Sequence, residues 1–561
     1  MHPKNTLRSR SSRRQLKKMQ TNHQREIFQA MAQAEFYPHA VSAVAQRETH
    51  ISKVFLTGAY AYKIKKPVNL DFLDFTALER RKHYCAQEVA LNQRLSDDIY
   101  LGVVPITFKN GSYYPAGPGE VVEYAVKMRQ LPEELSMLQL VRNGKLETDF
   151  IRQLARVLAG FYQNAAGGEN ISRIGSRKTV WLNNEENFRQ TEQFVGDYLD
   201  GRMVQIIRAA TRAFLTRRSA LFDRRIQQRK IRDCHGDLRL GHIYFYNGIQ
   251  IIDCIEFNDR FRYADTTSDL AFLAMDLDFE GHPQIARRLI DFYLEYAQDE
   301  EMFILLDFYK CYRAYVRVKV NCLRLRDDNP AASARAKILR ETRRYLELAY
   351  QYAVQFTRPT IWVVCGRPGA GKTATAEMMA KILSLGILQS DAVRKKLFNI
   401  PLHGPPDLLF EAGIYSKEST ALVYGKLLML AQQEIEQGRS IILDAAFSFR
   451  HYREEALRLA RDRDANIIFI ECTAAAETIK KRLALRAGSA PDSDLRQQHF
   501  KRLRARFETL NELPDEMHIR INTDLPPAES LGQILAHDYA LLGHQTAAAI
   551  RHWQSDALNE A

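Results

Sequence analysis

The sequence predicts two domains of different class: an α+β domain of clustered strands followed by helices, then an α/β domain built on a five-stranded, parallel, doubly wound sheet. Three observations carry this expectation. The chain has 561 residues, 46% of them apolar, which is ordinary globular material but too long for a single core. Apolar β-type runs cluster between about residues 48 and 128, and helical periodicity dominates afterwards. Beyond Pro359, short apolar runs alternate with helical patterns, as in a parallel sheet covered on both faces.

The amino-terminal stretch is set apart by charge. The net charge is +13, yet Lys4, Arg8, Arg10, Arg13, Arg14, Lys17, Lys18 and Arg25 all precede the first acid, Glu26, leaving only +5 for the rest of the chain. So basic a segment, poor in apolar residues, is expected to form a disordered arm over 1–25. It reads as a dispensable tail or, alternatively, as a contact for RNA or an anionic surface. No run of about 18 apolar residues occurs, and no apolar signal segment stands near the start, so a cytoplasmic protein without a membrane partner is expected. Seven cysteines without a C-x-x-C pair point to reduced thiols rather than zinc or a disulfide framework.

The first domain is expected over 26–356. Val54-Phe55-Leu56 and Ala61-Tyr62-Lys63-Ile64-Lys65-Lys66-Pro67 read as strands, the stretch from Ala77 to Leu95 as a helix, and the runs near Val103–Ile106 and Val121–Met128 as a second pair of strands. Helices follow, interrupted between Ile231 and Asp276 by a compact polar insertion that contains the β-like Ile249-Gln250-Ile251-Ile252. The last helix places Ile338, Tyr345, Ala349, Tyr352 and Phe356 at helical spacing, and Pro359 stops it. The second domain is expected over 359–545, with a tail at 546–561. Its strands are read at Ile361–Cys365, Gly386–Gln389, Ser440–Leu443, Asn466–Ile470 and Met517–Ile521.

Directly after the first of these strands comes Gly366-Arg367-Pro368-Gly369-Ala370-Gly371-Lys372-Thr373, an ungapped G-x-x-x-x-G-K-[ST]. The glycines let backbone N–H groups turn toward a phosphate, Lys372 reaches its outer oxygens, Thr373 offers a hydroxyl to Mg²⁺, and the helix that opens here presents its positive end. ATP and Mg²⁺ are the expected cofactors. The second strand runs into Asp391 and Arg394, one helical turn apart: the carboxylate suits activation of an acceptor hydroxyl, the guanidinium an anionic substrate, and a plain helix cap is the alternative for Asp391. The third strand ends in Asp444, where a carboxylate reaches a Mg²⁺ shell. Arg482 and Arg486, ahead of the Gly488-Ser489-Ala490-Pro491 break, fit either a lid that brings cations to the phosphates or a solvated helix face.

Over roughly 359 to 545 these features resemble the small P-loop kinases that include gluconate kinase, chloramphenicol phosphotransferase and the kinase module of polynucleotide kinases. The resemblance implies strand order 2-3-1-4-5, Asp391 as the acceptor-activating base, and an acceptor that varies across the group.

In the first domain, His235-Gly236-Asp237-Leu238-Arg239-Leu240-Gly241-His242 followed by Ile251-Ile252-Asp253-Cys254 has the spacing of a catalytic and a metal-binding Asp in eukaryotic-like kinases. Lys63 on a strand and Glu88 on the next helix suit the pair that aligns phosphates, with Lys65 a rival on the same strand face. Residues from about 45 to 325 resemble the aminoglycoside phosphotransferase family, most closely a bacterial group in which such a domain is fused to a P-loop kinase domain. The segments Asp253–Arg262 and Ser268–Leu273 look like that group's signature. The resemblance implies a bilobal protein-kinase-like fold, Asp237 as base, Asp253 as metal ligand, Lys63 with Glu88 on the phosphates, and Asp269 as a brace. His242 is a departure, standing at the metal position where the antibiotic kinases place Asn, and imidazole is a poor ligand for Mg²⁺. Arg313 and Arg317 share a helix face that suits either an anionic acceptor or solvent.

The expected function is phosphoryl transfer from ATP to a small-molecule hydroxyl acceptor, carried at least by the second domain. Two alternatives stand beside it: a nucleotide-gated regulator with a pseudokinase first domain, and a nucleic-acid 5′-hydroxyl kinase.

Overall fold

A computed structural model describes residues 23–70, 73–327, 330–399, 416–486, 507–527 and 529–541. The arm through residue 22, the Gly488–Pro491 break and the tail at 546–561 lie outside the described residues. The chain divides into two compact units, one holding Met1–Asp200, Phe222–Ala297 and Tyr312–Leu346, the other Gly201–Leu221, Gln298–Cys311 and Glu347–Ala561.

In the first unit, structure begins earlier than charge alone suggests. Residues 23–31 form a helix, α1, whose Ile27 and Met31 enter a core with Phe55, Tyr62 and Ile64. Residues 23–25, assigned above to the arm, belong to this helix. Gln24 is buried and donates to the Lys65 carbonyl (3.0 Å) and to Glu123 Oε2 (3.1 Å). A charge count cannot see this, because the apolar face of α1 starts only where the basic run ends.

Six of the strands that follow build the main sheet: β1 (Ala45–Glu48), β2 (Ser52–Leu56), β3 (Tyr60–Lys65), β4 (Tyr100–Lys109), β5 (Ser112–Pro115) and β6 (Glu120–Arg129). They form one antiparallel sheet in the order β1-β2-β3-β6-β4-β5. Period-two alternation sends Tyr62 and Ile64 to one face and Lys63 and Lys65 to the other. Between β3 and β4, helix α2 (Leu78–Asn92) packs against β4 and β6 and turns Glu88 toward the lysine face. Two small antiparallel pairs make up the polar insertion: β7 (Ile231–Asp233) with β10 (Tyr263–Asp265), and β8 (Ile243–Phe245) with β9 (Ile249–Ile251). Helix α3 (Thr266–Phe279) then runs with every residue buried, its N-terminus capped by Asp265, which accepts from the Thr267 N–H.

The second unit centres on a five-stranded parallel sheet of β11 (Thr360–Gly366), β12 (Gly386–Gln389), β13 (Ile441–Asp444), β14 (Asn466–Thr473) and β15 (His518–Asn522). Its order, β12-β13-β11-β14-β15, is the expected 2-3-1-4-5. β11 is buried at every position, as a central parallel strand must be, and Val363, Leu443 and Phe469 share a core with Leu427 and Phe447. Its helices include α4 (Lys372–Leu383), α5 (Ser390–Leu397), α6 (Lys417–Glu436), α7 (Arg450–Asp462) and α8 (Ala476–Arg486).

Segments ahead of Pro359 also belong to this unit, so compactness does not follow one break near 356–359. The reason is aromatic packing: Phe214 stacks on Phe308 at 4.6 Å and meets Phe356 edge-on at 5.3 Å, while Phe303 lies 5.2 Å from Tyr539. All seven cysteines are buried and free. Among the described residues, no helix is long and apolar enough to cross a membrane.

Candidate active sites

The phosphate loop joins the end of β11 to the start of α4. Gly366, Gly369 and Gly371 have φ of +130°, +79° and +89°, backbone that glycine adopts without strain. Space imposes the same choice: a Cβ on Gly366 would lie 2.5 Å from the Cys472 carbonyl oxygen, and one on Gly371 would lie 2.8 Å from Thr523 Oγ1. Lys372 Nζ donates back to the Arg367 carbonyl (3.2 Å), and Arg367 itself lies over the Phe507 ring. Pro368 and Ala370 complete the turn, the Ala370 carbonyl accepting from Thr523 (2.9 Å).

Thr373 Oγ1 donates to Asp444 Oδ2 at 2.8 Å, which brings the first helical turn to the end of the neighbouring strand β13. Hydroxyl and carboxylate together make an all-oxygen donor set, which fits the hard Mg²⁺ ion. On α5, Asp391 is exposed and pairs with Lys395 (3.4 Å), whereas Arg394 is buried and its charge reaches Tyr424 and Tyr452. Tyr424 stacks on Tyr452 at 4.0 Å and its hydroxyl accepts from the Phe447 N–H (2.9 Å). Arg482 donates to Thr523 Oγ1 (2.9 Å) and to the Thr523 carbonyl (2.8 Å), and so braces the contact behind Gly371. The Arg486 side chain lies outside what is described.

In the first unit, long-range ion pairs build the site. Lys63 Nζ lies 2.8 Å from Glu88 Oε1 and 2.6 Å from Asp253 Oδ1. Lys65 takes the other Glu88 oxygen at 2.7 Å and also pairs with Glu256. Lys63 is thus the lysine that links Glu88 to Asp253, and Lys65 lies deeper, with its ammonium over the Phe75 ring. Burial opposes charge on Glu88, but the two ammonium groups hold its carboxyl below the ordinary range.

Asp253 sits in left-handed backbone at φ +65°, held by its N–H donating to the Tyr100 hydroxyl (3.1 Å) and by the next N–H donating to Asn92 Oδ1 (2.8 Å). Burial would raise its carboxyl, yet Lys63 and His242 pull it far down. Asp237 is likewise held low against burial, by Arg239 first and His242 second. Asp269 accepts from the His235 N–H (2.6 Å) and the Gly236 N–H (2.9 Å), bracing the loop as expected. His242 stands between the two acids, Nδ1 3.6 Å from Asp237 Oδ2 and Nε2 3.6 Å from Asp253 Oδ2. Burial, then the Arg239 charge, pushes its pKa down to about 4, so the ring is neutral near pH 7.

Neither sequence reading of Arg313 survives. It is buried and donates to the Ser268 (3.1 Å) and Gly236 (2.8 Å) carbonyls, which leaves it to neither acceptor nor solvent.

Comparison with known proteins places the chain. It is 32% identical over 449 residues to the uncharacterized protein Rv2004c of Mycobacterium tuberculosis, covering 80% of this chain and 87% of that one, and it matches a Mycobacterium bovis counterpart equally. The chain belongs to the Rv2004c family. Within this member, residues 361–510 match the family model described as an AAA domain. Solved structures similar to it include a choline/ethanolamine kinase family protein from Mesorhizobium loti (13% identical, 58% of this chain and 99% of that one, TM-score 0.33). A gluconokinase from Sinorhizobium meliloti is also similar (17% identical, 36% and 98%, TM-score 0.23). In this Rv2004c-family chain the AAA-domain match falls on the second unit and takes in the phosphate loop, Thr373 and Asp444.

Glu256, Arg239, Tyr100 and Thr523 shape these sites in the Rv2004c-family chain without having been read as site residues. Two had a local signal, since Arg239 lies inside the His235–His242 run and Glu256 inside the Asp253–Arg262 segment. Tyr100 and Thr523 had none, because their roles depend on partners 153 residues away for Asp253 and 153 away for Ala370.

Proposed function

We propose that the chain is an ATP- and Mg²⁺-dependent phosphotransferase that moves the γ-phosphoryl group to a hydroxyl of a small-molecule acceptor, with the phosphate-loop unit as its principal centre. The observation that carries this reading is the Thr373–Asp444 hydrogen bond beside a loop closed by three left-handed glycines. Mg·ATP, when bound, supplies the phosphoryl group and the charge that polarises it. Lys372 and the loop N–H groups bind the phosphates, while Thr373 and Asp444 are the oxygen donors for the ion. Asp391, on the open face of α5, is the carboxylate available to take the acceptor proton, and the buried Arg394 fixes charge beneath it.

One observation favours a second reading for the first unit. Its acids already carry protein cations, Lys63 on Asp253 and Arg239 on Asp237. A unit that binds nucleotide and signals to a partner without transferring phosphate suits that arrangement.

The test is transfer of isotopically labelled γ-phosphate to a panel of hydroxyl metabolites that includes an oligonucleotide with a free 5′-hydroxyl. We expect Asp391→Ala to keep nucleotide binding and lose transfer. Equal labelling by native and variant protein would sink the assignment.

A further inference from the structure

His242 departs from the resembled kinases in a way that its hydrogen bonds make specific. Its Nδ1 lies 2.9 Å from the Asp237 carbonyl oxygen, which can only accept, so Nδ1 bears the proton. Its Nε2 lies 3.0 Å from Arg239 Nη2, which can only donate, so Nε2 presents its lone pair. The hydrogen-bonded carbonyl fixes tautomer and ring orientation in the way that second-sphere partners fix metal-binding histidines. Asp237, His242 and Asp253 each offer one ligand atom, all within 4.8 Å of one another.

A cation already rests on two of these three groups. Arg239 places Nη2 on His242 Nε2 and Nε 3.3 Å from Asp237 Oδ2. Lys63 occupies only Oδ1 of Asp253, leaving Oδ2 turned to the imidazole. A flexible side chain therefore stands where an ion would sit, among donors that include a neutral nitrogen.

We propose that Asp237, His242 and Asp253 form a divalent-cation site with a nitrogen ligand, selective for first-row transition ions over Mg²⁺, and that Arg239 is a built-in plug which the ion must displace. Mg²⁺ strongly prefers oxygen, whereas imidazole nitrogen favours the transition ions. The proposal deepens the reading of Asp253 as a metal-holding carboxylate. Its test requires no turnover, so failure of phosphoryl transfer and failure of this site are separate results.

The full-length protein is titrated with Mn²⁺ in the absence of nucleotide and examined by pulsed electron paramagnetic resonance. The Thr373/Asp444 site has only oxygen donors, so imidazole ¹⁴N modulation that depends on His242 reports the first unit. We expect that modulation in the native protein, its loss in His242→Asn, and easier displacement of Mn²⁺ by Mg²⁺ in that variant. Removing the competing charge in Arg239→Gln is expected to tighten Mn²⁺ binding by roughly tenfold or more, a magnitude typical of changes just outside a metal's ligands. Absence of ¹⁴N modulation at saturating Mn²⁺ in native protein would overturn the proposal, as would its persistence in His242→Asn. Unchanged Mn²⁺ affinity in Arg239→Gln would refute the plug.

Discussion

The two candidate sites are made of different materials. In the phosphate-loop unit, backbone does most of the work: eight consecutive residues set the loop, and one side-chain bond, Thr373 to Asp444, ties it to the next strand. In the first unit a chain of charged side chains does most of the positioning, from the buried Glu256, Lys65 and Glu88 through Lys63 to the part-exposed Asp253, His242 and Asp237. The difference bears on robustness. A loop held by glycines fails locally, whereas a buried ion network fails collectively once a partner is lost.

The largest expected effect tests that collective failure. Glu88→Gln removes the carboxylate that two ammonium groups share, leaving Lys63 to Asp253 and Lys65 to Glu256, and should destabilise the first unit by about 3–5 kcal/mol, read from denaturant midpoints. A loss under about 1 kcal/mol would mean that Asp253 and Glu256 alone hold the two lysines. Next, Lys372→Ala should lower ATP turnover by roughly 10²–10³-fold without shifting the unfolding midpoint, because a single phosphate-facing donor is removed. Gly371→Ala should cost about 1–3 kcal/mol and weaken nucleotide binding, through left-handed backbone and the close approach of Thr523. If both changes leave nucleotide affinity intact, the loop does not hold phosphate.

The smallest effect is a pH dependence in the phosphate-loop unit. Burial first, and Asp307 second, push the Asp538 carboxyl up to about 7 from an ordinary 3.8, with Arg218 only partly opposing. A folded pKa above the unfolded one means that its contribution is complete below 3.8 and is lost as pH rises through about 7. The melting temperature of this unit should therefore fall as pH rises from 3.8 to about 7 and level off above, and Asp538→Asn should flatten that slope. A slope unchanged in the variant would assign the effect to another group.

Legibility followed the same division of materials. The five parallel strands and the loop were readable because their signals are local: apolar runs of four to eight residues, and glycines where φ must be positive. Asp237, Asp253, Lys63 and Glu88 were readable from spacing, and they converge in the structure. Which lysine faces Asp253 was not, since Lys63 and Lys65 share a strand face and differ only in depth. Arg482 looked like part of a lid and instead grips Thr523, a residue that no spacing rule connects to it. Arg313 shows the same limit, its helical periodicity hiding the two carbonyls that it serves.

What the amino-acid sequence determined by itself was the identity of the reactive groups and the alternation of strand and helix, because both rest on residue type and short-range geometry. The tertiary structure alone decided the pairing of charges: Lys63 with Asp253, Arg239 with His242, and Arg482 with Thr523. A buried charge takes whichever partner the fold brings within hydrogen-bond reach, and that distance is fixed by packing among elements far apart in the chain.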